Sequence, residues 1–492
     1  MPARRWFPCA VVAVVMMPVA LTAQYPVRDG SVTNIEPYLF SAADFGINPE
    51  GVTFTKDIVP ILQRSCQNCH RAGGGAPMAF TTYQETRRYA TRIRDRTAIR
   101  DRMGAMPPFF VEPGVGIQKF KNGNALSDEE LAKIQAWVDN GAPEGDPADM
   151  PLPLDFPADQ GWVLGEPDLV LRSADVTVPA VGPDRWGDIG IVPTGLTEDR
   201  WVHSVEVREI NDIPTDAATT TVGGRYVFHH MTYFSGVLNE DGTGLVSQGR
   251  VWPVHEIGRN ADVFGDGVGM LLQANSALSL SASHVHSTGG QANTGHLEFG
   301  FKFFPRGYEP KYTSSIRLGG NGIDMDVRPN QAGQEFHSYE VMTSHTKIIS
   351  FEPHLHAPGV RMCMEAIWGI NRFTLNCVGY DHNWVKQYLY EDDAAPLLPR
   401  GTILHIVGFV DTSNENLNLA DTRNWAGSGR RSVSNMFADL GQIVRLTEDQ
   451  FQAEMDERRT KMKDKNTYDI ACPLCWAPEV MERSATRGGG TP

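Results

Sequence analysis

A chain of 492 residues has room for roughly three domains, and its 41 % hydrophobic and 21 % charged residues are the balance of a folded protein. A formal charge of −15 with no basic run excludes a nucleic-acid face. The 48 glycines and 32 prolines favour turn-rich β architecture over helical bundles.

At the start of the chain, Arg4 and Arg5 precede an apolar run from Phe7 to Leu21, and Leu21-Thr22-Ala23 offers a small-residue cleavage site. The run is short for a membrane span and contains Pro18. Residues 1–23 are therefore expected to be an export signal. Its removal takes Arg4 and Arg5 and no acid, moving the formal charge from −15 to −17. The mature chain is expected to be soluble, without a membrane span, in the periplasm or outside the cell. Of seven cysteines, Cys9 leaves with the signal; the other six fall in pairs, as suits an oxidising compartment.

Residues 24–150 read as a small helical unit. Ile58, Ile61 and Leu62 share a helix face leading into Cys66-Gln67-Asn68-Cys69-His70. A second helix is expected near Thr82–Met103. A third opens with Ser127-Asp128-Glu129-Glu130, a capping box, and carries the apolar stripe Leu131, Ile134, Trp137 and Val138. Cys-x-x-Cys-His is the attachment signature of c-type haem, with Cys66 and Cys69 as thioether donors and His70 as the proximal iron ligand. The alternative is a chance disulfide beside a histidine. Small cytochromes c, which this segment resembles, place an axial methionine where Met106 stands in Gly104-Ala105-Met106-Pro107; Met78 and Met103 are rivals. A Met/His pair raises the reduction potential and suits electron transfer.

A linker rich in Pro and Asp follows, Glu144 to Gln160. Beyond it, short alternating apolar runs separated by turn residues predict antiparallel sandwiches: Asp168–Leu171, Trp201–Val207, Tyr226–Val237, Leu297–Phe304, Lys347–Phe351, Val360–Trp368, Phe373–Tyr380 and Thr402–Val410. A softer boundary near Pro305–Pro310 divides residues 160–305 from 306–446. Residues 447–492 begin with a charged helix and end in a Cys472-Pro473-Leu474-Cys475 tail.

Three histidine doublets lie in this β region: His229-His230, His284-Val285-His286 and His354-Leu355-His356. Residues two apart on a strand face the same way, so His354 and His356 offer two imidazoles to one point. Zinc is the default occupant of histidine clusters. A zinc hydrolase is disfavoured because no acid has the usual spacing and Met is a poor zinc ligand.

Tyr226-Val227-Phe228-His229-His230-Met231, Val285-His286, His354-Leu355-His356 and Ser434-Asn435-Met436 occur in an order and rough spacing that resemble the copper type II, ascorbate-dependent monooxygenases. That family includes the peptidylglycine α-hydroxylating and dopamine β-monooxygenases. The resemblance, over about Asp168 to Asp439, implies two jelly-roll-like all-β sandwich domains after the all-α cytochrome c-like unit. It implies that His229, His230 and His286 hold an electron-transfer copper, and that His354, His356 and Met436 hold the oxygen-binding copper. A thioether with two imidazoles suits Cu(I). Neighbours on a strand face opposite ways, so His229 and His230 share a metal only through a bulge; His284 could replace one of the doublet.

The implied function is an exported monooxygenase with two coppers and one haem c, hydroxylating a C–H bond of a small substrate with O2. Electrons would come from ascorbate, a periplasmic donor or the fused haem. The alternative is a non-catalytic electron-transfer or copper-holding protein on the same scaffold. Peptide-amidating members carry Arg and Tyr where this chain has Glu352 and Leu440, so a carboxylate-clamping cation is replaced by an acid. Glycine-extended peptides are thus not the expected substrate; Glu352 either meets an amine or hydroxyl or is a solvated strand residue. Cys363 and Cys377 are equidistant from Ile370, which predicts a cross-strand disulfide in a hairpin. Cys472 and Cys475 are expected to form a local disulfide, with a redox or metal role open.

Overall fold

The computed structural model describes residues 36–462, with breaks at 73, 122, 157–160, 214–225, 247–248, 257–260, 318, 321–324, 420, 424–426 and 429–433, together with Cys472. The expected signal, residues 1–23, and Cys475 lie outside the described residues. Among the described residues, no helix is long and apolar enough to cross a membrane.

Most of the described chain is β-sheet, in sandwich-like layers. A ten-stranded sheet and a six-stranded sheet bury a shared core between them. Val205 and Val207 on Arg200–Asn211 and Phe299 and Phe301 on Asn293–Phe303 meet Tyr233 and Leu278 across that core. Alternate residues of these strands face inward, as the period-two pattern demands. A five-stranded sheet carrying Gly359–Trp368, Asn371–Gly379 and Ile403–Val410 encloses a second core with Phe351, Leu355 and Phe437. The ten-stranded path crosses the expected 305–310 boundary, because Val268–Leu272 pairs in parallel with Tyr312–Ile316.

Each strand segment anticipated from alternation is β-strand, displaced by a few residues at its ends, except that Lys347–Phe351 is divided at Ile349 between His345–Ile348 and Ser350–Phe351. Several more escaped the alternation pattern. Ser276–Val285 is buried along most of its length and therefore does not alternate, and Gln334–Val341 is a largely polar edge. Cys363 and Cys377 stand directly opposite each other and are disulfide-linked, with Cα atoms 4.1 Å apart. Gly369, at φ +60, makes the two-residue turn beneath a fully exposed Ile370. Cys472 is also in a disulfide and is buried in the first core.

Helices are concentrated before residue 150. Phe54–Ile58 and Val59–Ser65 run into Cys66. The expected second helix is broken into Tyr83–Arg87 and Ala90–Ile99. Asp128–Asp139 starts at a complete Ser127/Glu130 capping box. Phe54, Leu62, Leu131, Ile134 and Trp137 form a small core of their own.

The helical expectation fails at Val111–Gly116, which is a strand paired with Asn371–Gly379 of the five-stranded sheet. Its Glu112 is buried and takes both Arg361, at 2.5 and 2.9 Å, and Arg102, at 3.3 Å. This strap fastens the helical segment to the β layers. Near the C-terminus, Glu448–Met462 packs Phe451 and Met455 on the first core.

Candidate metal centre

His229 and His230 sit on Phe228–Val237, which pairs with Ser276–Val285. The register reads His284 opposite His230 and then Val285 opposite Phe228, so His229 is the extra residue of a bulge. That irregularity turns two neighbouring imidazoles toward one side. The candidate ligand atoms of His229, His230 and His284 lie within 4.8 Å of one another. His286, which the resemblance implied as third ligand, has its ring 5.8 Å from that of His229 and 6.3 Å from that of His284. The converging triad therefore contains His284.

His354 lies on Pro353–Leu355, paired antiparallel with Phe437–Asp439; Pro353 faces Asp439, His354 faces Ala438 and Leu355 faces Phe437. The recorded ladder ends at Leu355 and Phe437; His356 and Met436 are the next residue beyond it on either chain segment. The Ser434 carbonyl lies 3.1 Å from His356 Nδ1, drawing the Met436 segment onto the same pair. Asp439 locks the ladder by accepting from the Glu352 and Gly441 amides and pairing with buried Arg317.

The two histidine sets adjoin. The His230 and His354 rings are 5.7 Å apart, and His382 stands between the sets, 5.6 Å from His229 and 6.1 Å from His356. A metal–nitrogen bond of about 2.0 Å puts a ring centroid about 3.2 Å from the ion, so two rings on one ion have centroids at most about 6.4 Å apart. All of these ring separations lie inside that limit.

Ring tethering completes the pattern. His284 Nε2 is 2.8 Å from Asp184 Oδ2, while His284 Nδ1 is buried with no hydrogen-bond partner among the described residues. The same holds for His286 Nε2, His354 Nδ1 and His382 Nδ1. Buried polar atoms are rarely left so, and several within one cluster of adjoining imidazoles suit a site for a cation. Trp186 stacks on His284 at 3.8 Å and fixes its plane. Burial, and then the neighbouring imidazoles, holds His229, His230 and His354 well below the ordinary histidine range and His382 at about 4. The rings are therefore neutral, the form that binds metal.

In the Cys66–His70 motif, Cys66 and Cys69 are not disulfide-linked. Burial pushes the Cys66 thiol up to about 12, and raises Cys69 against the pull of Lys386 and Arg71. His70 Nδ1 is 3.1 Å from the Met78 carbonyl and its ring stacks on Phe80 at 4.3 Å, so Nε2 is the nitrogen that could serve as a ligand. A Cβ on Gly74 would lie 2.3 Å from the Cys69 carbonyl, so the turn closing the motif requires glycine. Of the candidate methionines, Met78 packs against the small helical core and its backbone carbonyl meets His70 Nδ1, and Met103 packs against the core around Cys363 and Cys377. The Met106 amide donates to the Arg96 carbonyl.

Two chemical features were invisible to spacing. His382 is a lone histidine in sequence, and only the fold delivers it. Glu256 lies opposite His230 on a neighbouring strand, with Oε1 3.8 Å from His354 Nδ1, so a buried acid does adjoin the histidines. Glu352 is fully buried, not solvated; Gln387 donates to it, and its carbonyl accepts the Leu440 amide. The two positions that depart from the peptide-amidating enzymes thus touch each other.

The chain matches no protein-family model and no curated protein. Among solved structures it is similar to the major capsid protein P2 of bacteriophage PM2, at 6 % identity and a TM-score of 0.27, over 55 % of this chain and 100 % of that one. A score that low does not establish a shared fold. The chemistry of the site has to speak from its own residues.

Proposed function

We propose that the chain is an exported copper-dependent monooxygenase of the ascorbate-dependent type, with a haem c unit at its N-terminus, hydroxylating a C–H bond of a small substrate. The observation that supports this reading is the convergence of buried, neutral imidazoles, with Met436 two residues from the Ser434 carbonyl that meets His356. Thioether with imidazole is a soft donor set that selects Cu(I) over zinc.

On this reading His229, His230 and His284, with His286 beside them, hold one copper, and His354, His356 and Met436 hold the other. Bound copper would supply one-electron chemistry and a place for O2. The protein's own contribution is positional. Asp184 and the Ser434 carbonyl orient His284 and His356, and burial keeps the rings unprotonated. Cys66, Cys69, His70 and Met106 would hold the haem, which would supply one-electron transfer.

Residues flanking the Cys66–His70 motif and Met106 touch segments that carry the histidines, which supports the haem unit as an electron feed. A Cβ on Gly75 would come 3.4 Å from the Tyr226 hydroxyl, three residues before His229. The Gly104 amide, two residues before Met106, donates to Asp381 next to His382, at 3.0 Å.

Replacing Met436 by Ile is expected to abolish O2 consumption with a reductant while leaving the haem spectrum unchanged; retained turnover contradicts the reading. The contact of His230 with His354 favours a second reading, a non-catalytic electron-transfer or copper-holding protein. In that case copper binds but reductant-driven O2 uptake is absent.

A further inference from the structure

We infer that His382 is a metal ligand standing between the two histidine sets, so that the cluster takes its copper ions as an adjoining pair rather than at two separate sites. This rests on the copper reading above and extends it to a residue that no motif contains.

The geometry of His382 is that of a ligand. Its ring is stacked over His229 at 5.6 Å and lies edge-on to His356 at 6.1 Å, within reach of an ion held by either. It also donates to the Leu355 backbone carbonyl, while Nδ1 has no hydrogen-bond partner among the described residues. The proton is thus assigned to Nε2, which leaves the lone pair on buried Nδ1 open to an ion. Tying one imidazole nitrogen to a carbonyl while the other faces inward is how ligating histidines are oriented.

A core-packing histidine would not need its loop to be so anchored. Asp381 Oδ1 accepts from the Asn383 amide and side chain, and Asp381 Oδ2 from the Gly104 amide. The Tyr380 hydroxyl, on the other side, donates to the same Leu355 carbonyl. These bonds fix His382 against Leu355, the residue between His354 and His356. The contact between His230 and His354 closes the arrangement from the far side.

The test is copper(II) titration of the haem-loaded protein and its His382→Gln variant, with chelator competition for affinity and electron paramagnetic resonance for coordination. The variant is expected to bind one copper equivalent at least about 10-fold more weakly and to lose nitrogen hyperfine coupling at that site. Wild-type affinity and an unchanged spectrum in a folded variant would overturn the inference and leave the copper reading standing. A wild-type protein that binds no copper at these histidines would overturn both. If the variant does not fold, the fully Cu(II)-loaded wild type decides: an adjoining pair gives a broadened spectrum with a half-field signal, whereas two independent narrow signals refute the pairing.

Discussion

The Cys66–His70 motif and the histidine cluster, which the proposed function assigns to haem and copper, are built in opposite ways. The first is five consecutive residues, closed by a glycine turn and steered by a carbonyl eight residues on. The second draws on four separate segments, and its members meet only because a bulge, a short ladder and a loop converge. A local site survives small changes in the surrounding fold. An assembled site depends on every strand that delivers a ligand, which makes it easier to disable selectively.

The largest expected effect breaks one region and spares the other. Cys66→Ala with Cys69→Ala should remove covalent haem completely, read as haem staining on a denaturing gel, while copper binding persists. Copper lost together with haem would show that the two regions are not independent. Next, Asp439→Ala leaves Arg317, with 3 % of its side chain exposed, without its buried partner. A loss of about 3 kcal/mol in urea unfolding is expected, together with weaker copper binding because the Met436 ladder loosens. Asp184→Asn should weaken copper affinity about 10- to 100-fold through His284 alone, measured by chelator competition, with no change in the haem spectrum.

Acid should separate the regions too. Histidines whose folded pKa is depressed stabilise the fold above the unfolded value of about 6.5 and lose that contribution as pH falls toward the folded value. For His229, His230, His286, His354 and His382 the shift is downward, to about 4 for His382. Each costs up to about 1.4 kcal/mol per pH unit in that window. Copper-free protein should therefore lose stability steeply below about pH 6.5, followed by thermal melts at several pH values; a flat profile down to about pH 4 would show that the rings are not buried neutral. The smallest effect belongs to the helical segment, where Ser127→Ala should cost about 1 kcal/mol, seen in Trp137 fluorescence during unfolding.

Much of this was legible from residues alone. Alternation located the exposed-face strands, the Ser127 box located its helix, and the symmetry of Cys363 and Cys377 about Ile370 located a disulfide. The His354–His356 pair needed only period two. What stayed hidden was tertiary. Val111–Gly116 looked like part of a helical unit because nothing local says that a strap will join a distant sheet. His284 and His286 are equivalent in spacing, and the register opposite His230 separates them. His382 and Glu256 carry no pattern at all, and Glu352 reads as exposed until Asp439 and Gln387 are placed over it.

The central claim, that buried imidazoles and Met436 hold copper beside a haem c motif, is tested most directly by elemental analysis of the purified protein for iron, copper and zinc. One iron and two coppers per chain, with no stoichiometric zinc, are expected. Zinc in place of copper, or copper unaffected by loss of His230 and His354, would contradict the claim.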